Sequence, residues 1–201
     1  MTSTSVLDAL RQQLGPDAIQ QISQTLGADP SSTSSAISTA LPVLLGGLSQ
    51  NAAQPQGAAA LDRALGDHDG GILDNLGGLL GGAAGGGIGG AILGHIFGSK
   101  RGHVEDRVGA ASGLNAQQVA QLLAMLAPIV MGVLGRMKRQ GGVDAQQLPD
   151  VLRQSTQHAQ SAAPSGGVNL NDILDSNRDG EITDDVARLG KSVLGNIFGK
   201  G

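Results

Sequence analysis

The stretch Gly27-Ala28-Asp29-Pro30, followed twelve residues later by Pro42-Val43-Leu44-Leu45-Gly46, decides the reading of the chain because it comes twice. Eighty-six residues on, Gly113-Leu114-Asn115 stands at the place of Gly27-Ala28-Asp29, and Pro128-Ile129-Val130-Met131-Gly132 at that of Pro42 to Gly46. Ile22 falls on Val108, Ile37 on Leu123 and Leu48 on Leu134. Each copy offers the same local instructions. Glycine stops one helix, an Asp or Asn two residues later caps the next, and a proline stands inside that second helix. Apolar residues recur at three and four rather than at two, and β-branched runs are absent, so the expected fold is all-α.

Two shorter echoes extend the repeat at other offsets. Leu93-Gly94-His95-Ile96-Phe97-Gly98 matches Leu194-Gly195-Asn196-Ile197-Phe198-Gly199, and the Asp-Gly loop 67–75 matches 177–185. The chain thus reads as a tandemly duplicated helical unit: a helix pair with a proline-kinked core helix, an acidic loop, and a short helix ending in Ile-Phe-Gly. The expected organisation is a helical repeat domain over 1–139, with repeat cores 19–51 and 105–137 and a glycine-rich linker 76–94. A helix and linker over 140–167 and an acidic-loop helix pair over 168–201 follow. Further signals place a helix on Val6, Leu7, Leu10 and Leu14, ended by Gly15, and a second begun by Pro16. Asp144 is read as a cap for a helix running toward His158.

Composition excludes several classes of function. With 33 glycines in 201 residues and 15% charged residues, the chain is glycine-rich and sparsely charged. The absence of cysteine removes disulfides, thiolate nucleophiles and cysteine-based metal centres. Two phenylalanines, with no tyrosine or tryptophan, leave no aromatic platform for bases or sugars. Thirteen basic against 17 acidic residues form no basic stripe, so nucleic acid is not an expected partner.

The glycine tract admits three readings. Gly78, Gly82, Gly86, Gly90 and Gly94 recur every four residues, and residues 76–97 as a helix would rise about 33 Å, enough to cross a bilayer core. A membrane-associated protein acting through this stripe is therefore the alternative function. Eight strong apolar residues supply only about 2–5 kcal/mol of insertion free energy, whereas ten glycines cost a helix in water about 8–10 kcal/mol. A linker is the favoured reading, beside a glycine-faced helix packed on the protein itself. Asp8 and Arg11 interrupt the N-terminal apolar positions, so no signal peptide is read and the expected compartment is the cytoplasm.

One site carries legible chemistry. Asp175-Ser176-Asn177-Arg178-Asp179-Gly180-Glu181-Ile182-Thr183-Asp184-Asp185 places alternating side-chain oxygens inside one tight turn, with Gly180 for the reversal. Asp175, Asn177 and Asp179, the Glu181 carbonyl, and Asp184 or Asp185 form the expected ligand set for a hard cation such as calcium. The loop resembles those of EF-hand and dockerin-type proteins. Val186 occupies the place of their bidentate glutamate, so the expected Kd is weak, on the order of 10⁻⁴ M. The competing reading is a turn of Asx type with Thr183 as helix cap. The loop at 67–75 keeps Asp67, Asp69, Gly70 and Asp74, but Leu65 stands where Asp175 does.

Other chemistry is thin. His68, His95, His103 and His158 lack zinc spacing and are expected at the surface. No serine stands in a nucleophile elbow, and no paired base and nucleophile can be named, so a non-enzymatic interaction or scaffold protein, with an unidentified protein partner, is the expected function. Arg136, Lys138 and Arg139 complement a helix dipole, and Met125, Met131 and Met137 read as core.

Leu122-Leu123-Ala124-Met125-Leu126-Ala127-Pro128-Ile129-Val130-Met131-Gly132, Leu41-Pro42-Val43-Leu44-Leu45-Gly46-Gly47-Leu48, Asp67-His68-Asp69-Gly70 and the Ile-Phe-Gly ends resemble the bacterial family called domain of unknown function 937. The resemblance spans Leu7 to Lys138. It implies an all-helical bacterial protein and carries over no catalytic residue.

Overall fold

The computed structural model describes residues 6–67, 87–140, 147 and 150–156. Every element among these residues is helical: α1 (Val6–Gln13), α2 (Pro16–Leu26), α3 (Pro30–Ala52), α4 (Pro55–Asp67), α5 (Ile88–Phe97), α6 (Arg101–Ser112) and α7 (Ala116–Arg139). A 3₁₀ turn, Gly98–Lys100, joins α5 to α6, and residues 150–156 are helical as well. The chain is all-α.

The two repeated turns are built alike. At the end of α2, Gly27 takes φ 60°, and the Ala28 amide donates to the Ser23 carbonyl at 3.0 Å, a Schellman closure. At the end of α6, Gly113 takes φ 77° and donates to the Gly109 carbonyl at 2.8 Å. Each next helix is capped by the predicted residue. Asp29 accepts the Ser32 amide at 3.2 Å, and Asn115 accepts the Gln118 amide at 2.9 Å. Gln118 completes a capping box by accepting the Asn115 amide at 3.1 Å, and its Nε2 donates across the bundle to the Leu26 carbonyl at 3.2 Å. One side chain therefore ties the start of α7 to the exposed carbonyls at the end of α2.

Helices α3 and α7 run through Pro42 and Pro128 without interruption. Proline supplies no amide, so the carbonyls of Ser38 and Ala124 lose their helical donors. The cost is tolerated because both helices are core elements. From Leu122 to Gly135, every residue of α7 is buried, as is Val43 to Leu48 in α3. Among the described residues, α7 alone is long and apolar enough to cross a membrane, and 83% of its apolar window is buried within the bundle. Helix α3 packs against α2, α4, α6 and α7, while α7 also takes α1, α4, α5 and α6.

The linker reading of 76–94 needs correction over its end, because residues 88–94 lie inside α5. Three glycines in that helix (Gly89, Gly90, Gly94) cost about 3 kcal/mol relative to alanine. Burial of Leu93 and Phe97 offsets this with about 3–6 kcal/mol. Tertiary packing thus outweighs propensity. Residues 68–86 lie outside the described residues.

Candidate functional site

The predicted cation ligands Asp175, Asn177, Asp179, Glu181, Asp184 and Asp185 lie outside the described residues, as does the 68–75 part of the companion loop. Among the described residues, no group of three His, Asp or Glu is placed to hold a metal ion.

What the described residues do build is a seat for α5 between α3 and α7. A Cβ added to Gly47 of α3 would stand 2.6 Å from Cγ2 of Ile96 and 2.7 Å from Cε1 of Phe97. A Cβ on Gly89 would overlap the Ala124 carbonyl oxygen of α7 and lie 2.7 Å from its carbon. Gly89 thus lets the backbone of α5 meet that of α7, and Gly47 leaves room on α3 for the side chains of Ile96 and Phe97. At the end of α3, Asn51 Nδ2 donates to the His95 carbonyl at 2.8 Å, satisfying an acceptor in the last turn of α5. The same side chain lies against Gly57 of α4, where a Cβ would overlap its oxygen. Asn51 thus brackets three helix ends. Leu93 is wholly buried and Ile88, at the start of α5, is 58% exposed.

Charge enters the bundle sparingly. Among the described residues, the buried polar ones are Ser23, Thr33, Ser112 and Ser155, and each hydroxyl donates to a carbonyl of its own chain three or four residues back, at 2.7–3.0 Å. Lys138 Nζ, read from the sequence as a dipole complement, donates to the Asp62 carbonyl at 3.0 Å and pairs with its carboxylate at 2.5 Å, joining α7 to α4. Arg101 pairs with Glu105 at 2.6 Å along α6. The Ser31 hydroxyl and Ser32 amide donating to Asp29 hold its carboxyl below the ordinary carboxylate range.

The histidines divide. His95 is exposed as expected, whereas His103 is half-buried with Nε2 fully enclosed and without a hydrogen-bond partner among the described residues. The surface expectation fails for His103 because α6 packs against α3 and α7 and encloses part of its ring. His68 and His158 lie outside the described residues. Sequence reasoning also missed Gly47, Asn51 and Asp62. Their partners lie 44 or more residues away, so no local pattern announces them.

These features define a helical bundle organised around two long apolar helices and a glycine-seated third. Residues 8–137 match the model of the family described as "Bacterial protein of unknown function (DUF937)", and the chain belongs to that family. No curated protein matches the chain, and no solved structure does.

Proposed function

We propose that this is a non-enzymatic helical interaction or scaffold protein whose C-terminal acidic loop binds calcium weakly. The observation that carries the reading is the alternation of Asp175, Asn177 and Asp179 before Gly180, with Asp184 and Asp185 beyond it. That order supplies oxygens at the spacing a hard cation requires. The scaffold part draws support from the bundle itself. Among the described residues, its buried polar side chains are hydroxyls spent on their own helices, and Asn51, Gln118 and Lys138 tie helix to helix. The duplicated unit belongs to the same proposal and draws support from the matched caps at Gly27–Asp29 and Gly113–Asn115.

Calorimetric titration of the full chain with calcium tests the loop. Heat with a midpoint on the order of 10⁻⁴ M, abolished by Asp175→Ala with Asp179→Ala, is expected. No heat at millimolar calcium removes the cation from the proposal.

A further inference from the structure

We propose that Gly190–Gly199 is a second segment fitted to the seat that α5 fills between α3 and α7, and that it competes with α5 for that seat within the same chain. The seat is selective. It demands glycine where the backbone meets the Ala124 carbonyl, a large apolar residue four positions on, and Ile-Phe against Gly47, and its Asn51 Nδ2 donates to a backbone carbonyl of the seated segment. In α5 these places hold Gly89, Leu93, Ile96 and Phe97, with Gly98 at φ 51° ending the helix.

All of them return 101 residues later, as Gly190, Leu194, Ile197, Phe198 and Gly199. Phe97 and Phe198 are the only two phenylalanines of a protein without tyrosine or tryptophan, and they occupy the same place in the two segments. Apart from Val193 in place of the partly buried Ile92, the departures fall where α5 faces open space. Ser192 replaces the exposed Ala91, Asn196 the exposed His95, and Lys200 the exposed Ser99. Lys191 replaces Gly90, around which a Cβ meets nothing within 4 Å. Contact positions stay apolar while the outward replacements are all polar, which suits a segment that also spends time in water.

The segment can reach the seat from its own chain. Residues 157–189 supply 33 residues of connection after the helical residues 150–156, whose Leu152 is buried in the core, an r.m.s. span of about 30 Å if flexible. Such a tether gives an effective concentration in the millimolar range. Helix α5 holds the stronger position, since the three-residue turn Gly98–Lys100 fixes it directly to α6. Weakening the anchor of α5 therefore transfers the seat to Gly190–Gly199.

Two phenylalanines allow a direct test. The full chain labelled with 4-fluorophenylalanine gives two fluorine resonances, assigned with Phe97→Leu and Phe198→Leu. In Phe97→Leu, the Phe198 resonance is expected to leave the position it has in the isolated peptide 186–201, to become shielded from solvent, and to stay there on tenfold dilution. A Phe198 resonance that keeps the peptide position overturns the proposal, and so does one that shifts only at high concentration. A stability comparison guards against poor folding of that variant. Gly190→Ala should lower the urea midpoint in the Phe97→Leu background and leave the native background unchanged; equal midpoints in both backgrounds overturn the proposal.

Discussion

One Cα–H of Gly89 points at the carbonyl oxygen of Ala124, the carbonyl that Pro128 deprives of its helical donor. The contact has the geometry of a weak C–H···O interaction, and it covers an acceptor buried in the core. Pro128 and Gly89, 39 residues apart, are thus two halves of one device: proline opens the backbone of α7, and glycine lets α5 close over the opening. The matching carbonyl in α3, that of Ser38, belongs to an exposed residue, where solvent can donate to it.

Replacing Gly89 by alanine drives a methyl into backbone that cannot yield, and the expected cost is about 3 kcal/mol. Gly90→Ala, one residue on and in open space, should instead stabilise by about 0.5–1 kcal/mol through helix propensity. Urea denaturation of both variants checks the pair. A loss in Gly90→Ala equal to that in Gly89→Ala would show that α5 is not seated on Ala124.

The Gln118 side chain serves one donor and one acceptor at once, so its removal should exceed an ordinary cap loss. Gln118→Ala is expected to destabilise by about 1–2 kcal/mol, and Gln118→Glu by less, because Glu keeps the bond to the Asn115 amide and loses only that to Leu26. Chemical denaturation of the two variants separates the local cap from the tie to α2.

Asp29 gives the fold a pH dependence of known sign. Its carboxyl is held below the ordinary range by the Ser31 hydroxyl and then the Ser32 amide. The carboxylate therefore contributes fully above the unfolded carboxylate pKa, and the contribution disappears as pH falls through the lower folded value. Asp29→Asn, which caps without titrating, should lose less stability between pH 6 and pH 2.5 than the native chain. Parallel acid denaturation curves would contradict this role.

The Lys138–Asp62 pair is about one-third exposed on both sides, so solvent screens it. A double-mutant cycle with Lys138→Met and Asp62→Asn should give a coupling of about 0.5–1 kcal/mol at low salt, falling toward zero at 1 M salt. The bond from Lys138 to the Asp62 carbonyl survives Asp62→Asn, so Lys138→Met alone should cost more than its partner variant.

The sequence by itself determined the helices and their ends. Gly27, Asp29, Gly113 and Asn115 act within five residues of themselves, and helix stops and caps are local hydrogen-bond problems that residue type solves. It also determined which faces are apolar, and so that α3 and α7 form the core. The carboxylates of the proposed cation loop are read from residue type and spacing alone and lie outside the described residues. Tertiary structure decided what spacing cannot express. Residues 88–94 are poor helix formers read singly and become helix because Gly47 and the Ala124 carbonyl give them a surface to close upon. Asn51, Asp62 and His103 took their surroundings from elements far along the chain. Propensity is a property of neighbours in sequence, whereas the free energy that overrides it comes from atoms brought together only when the bundle forms.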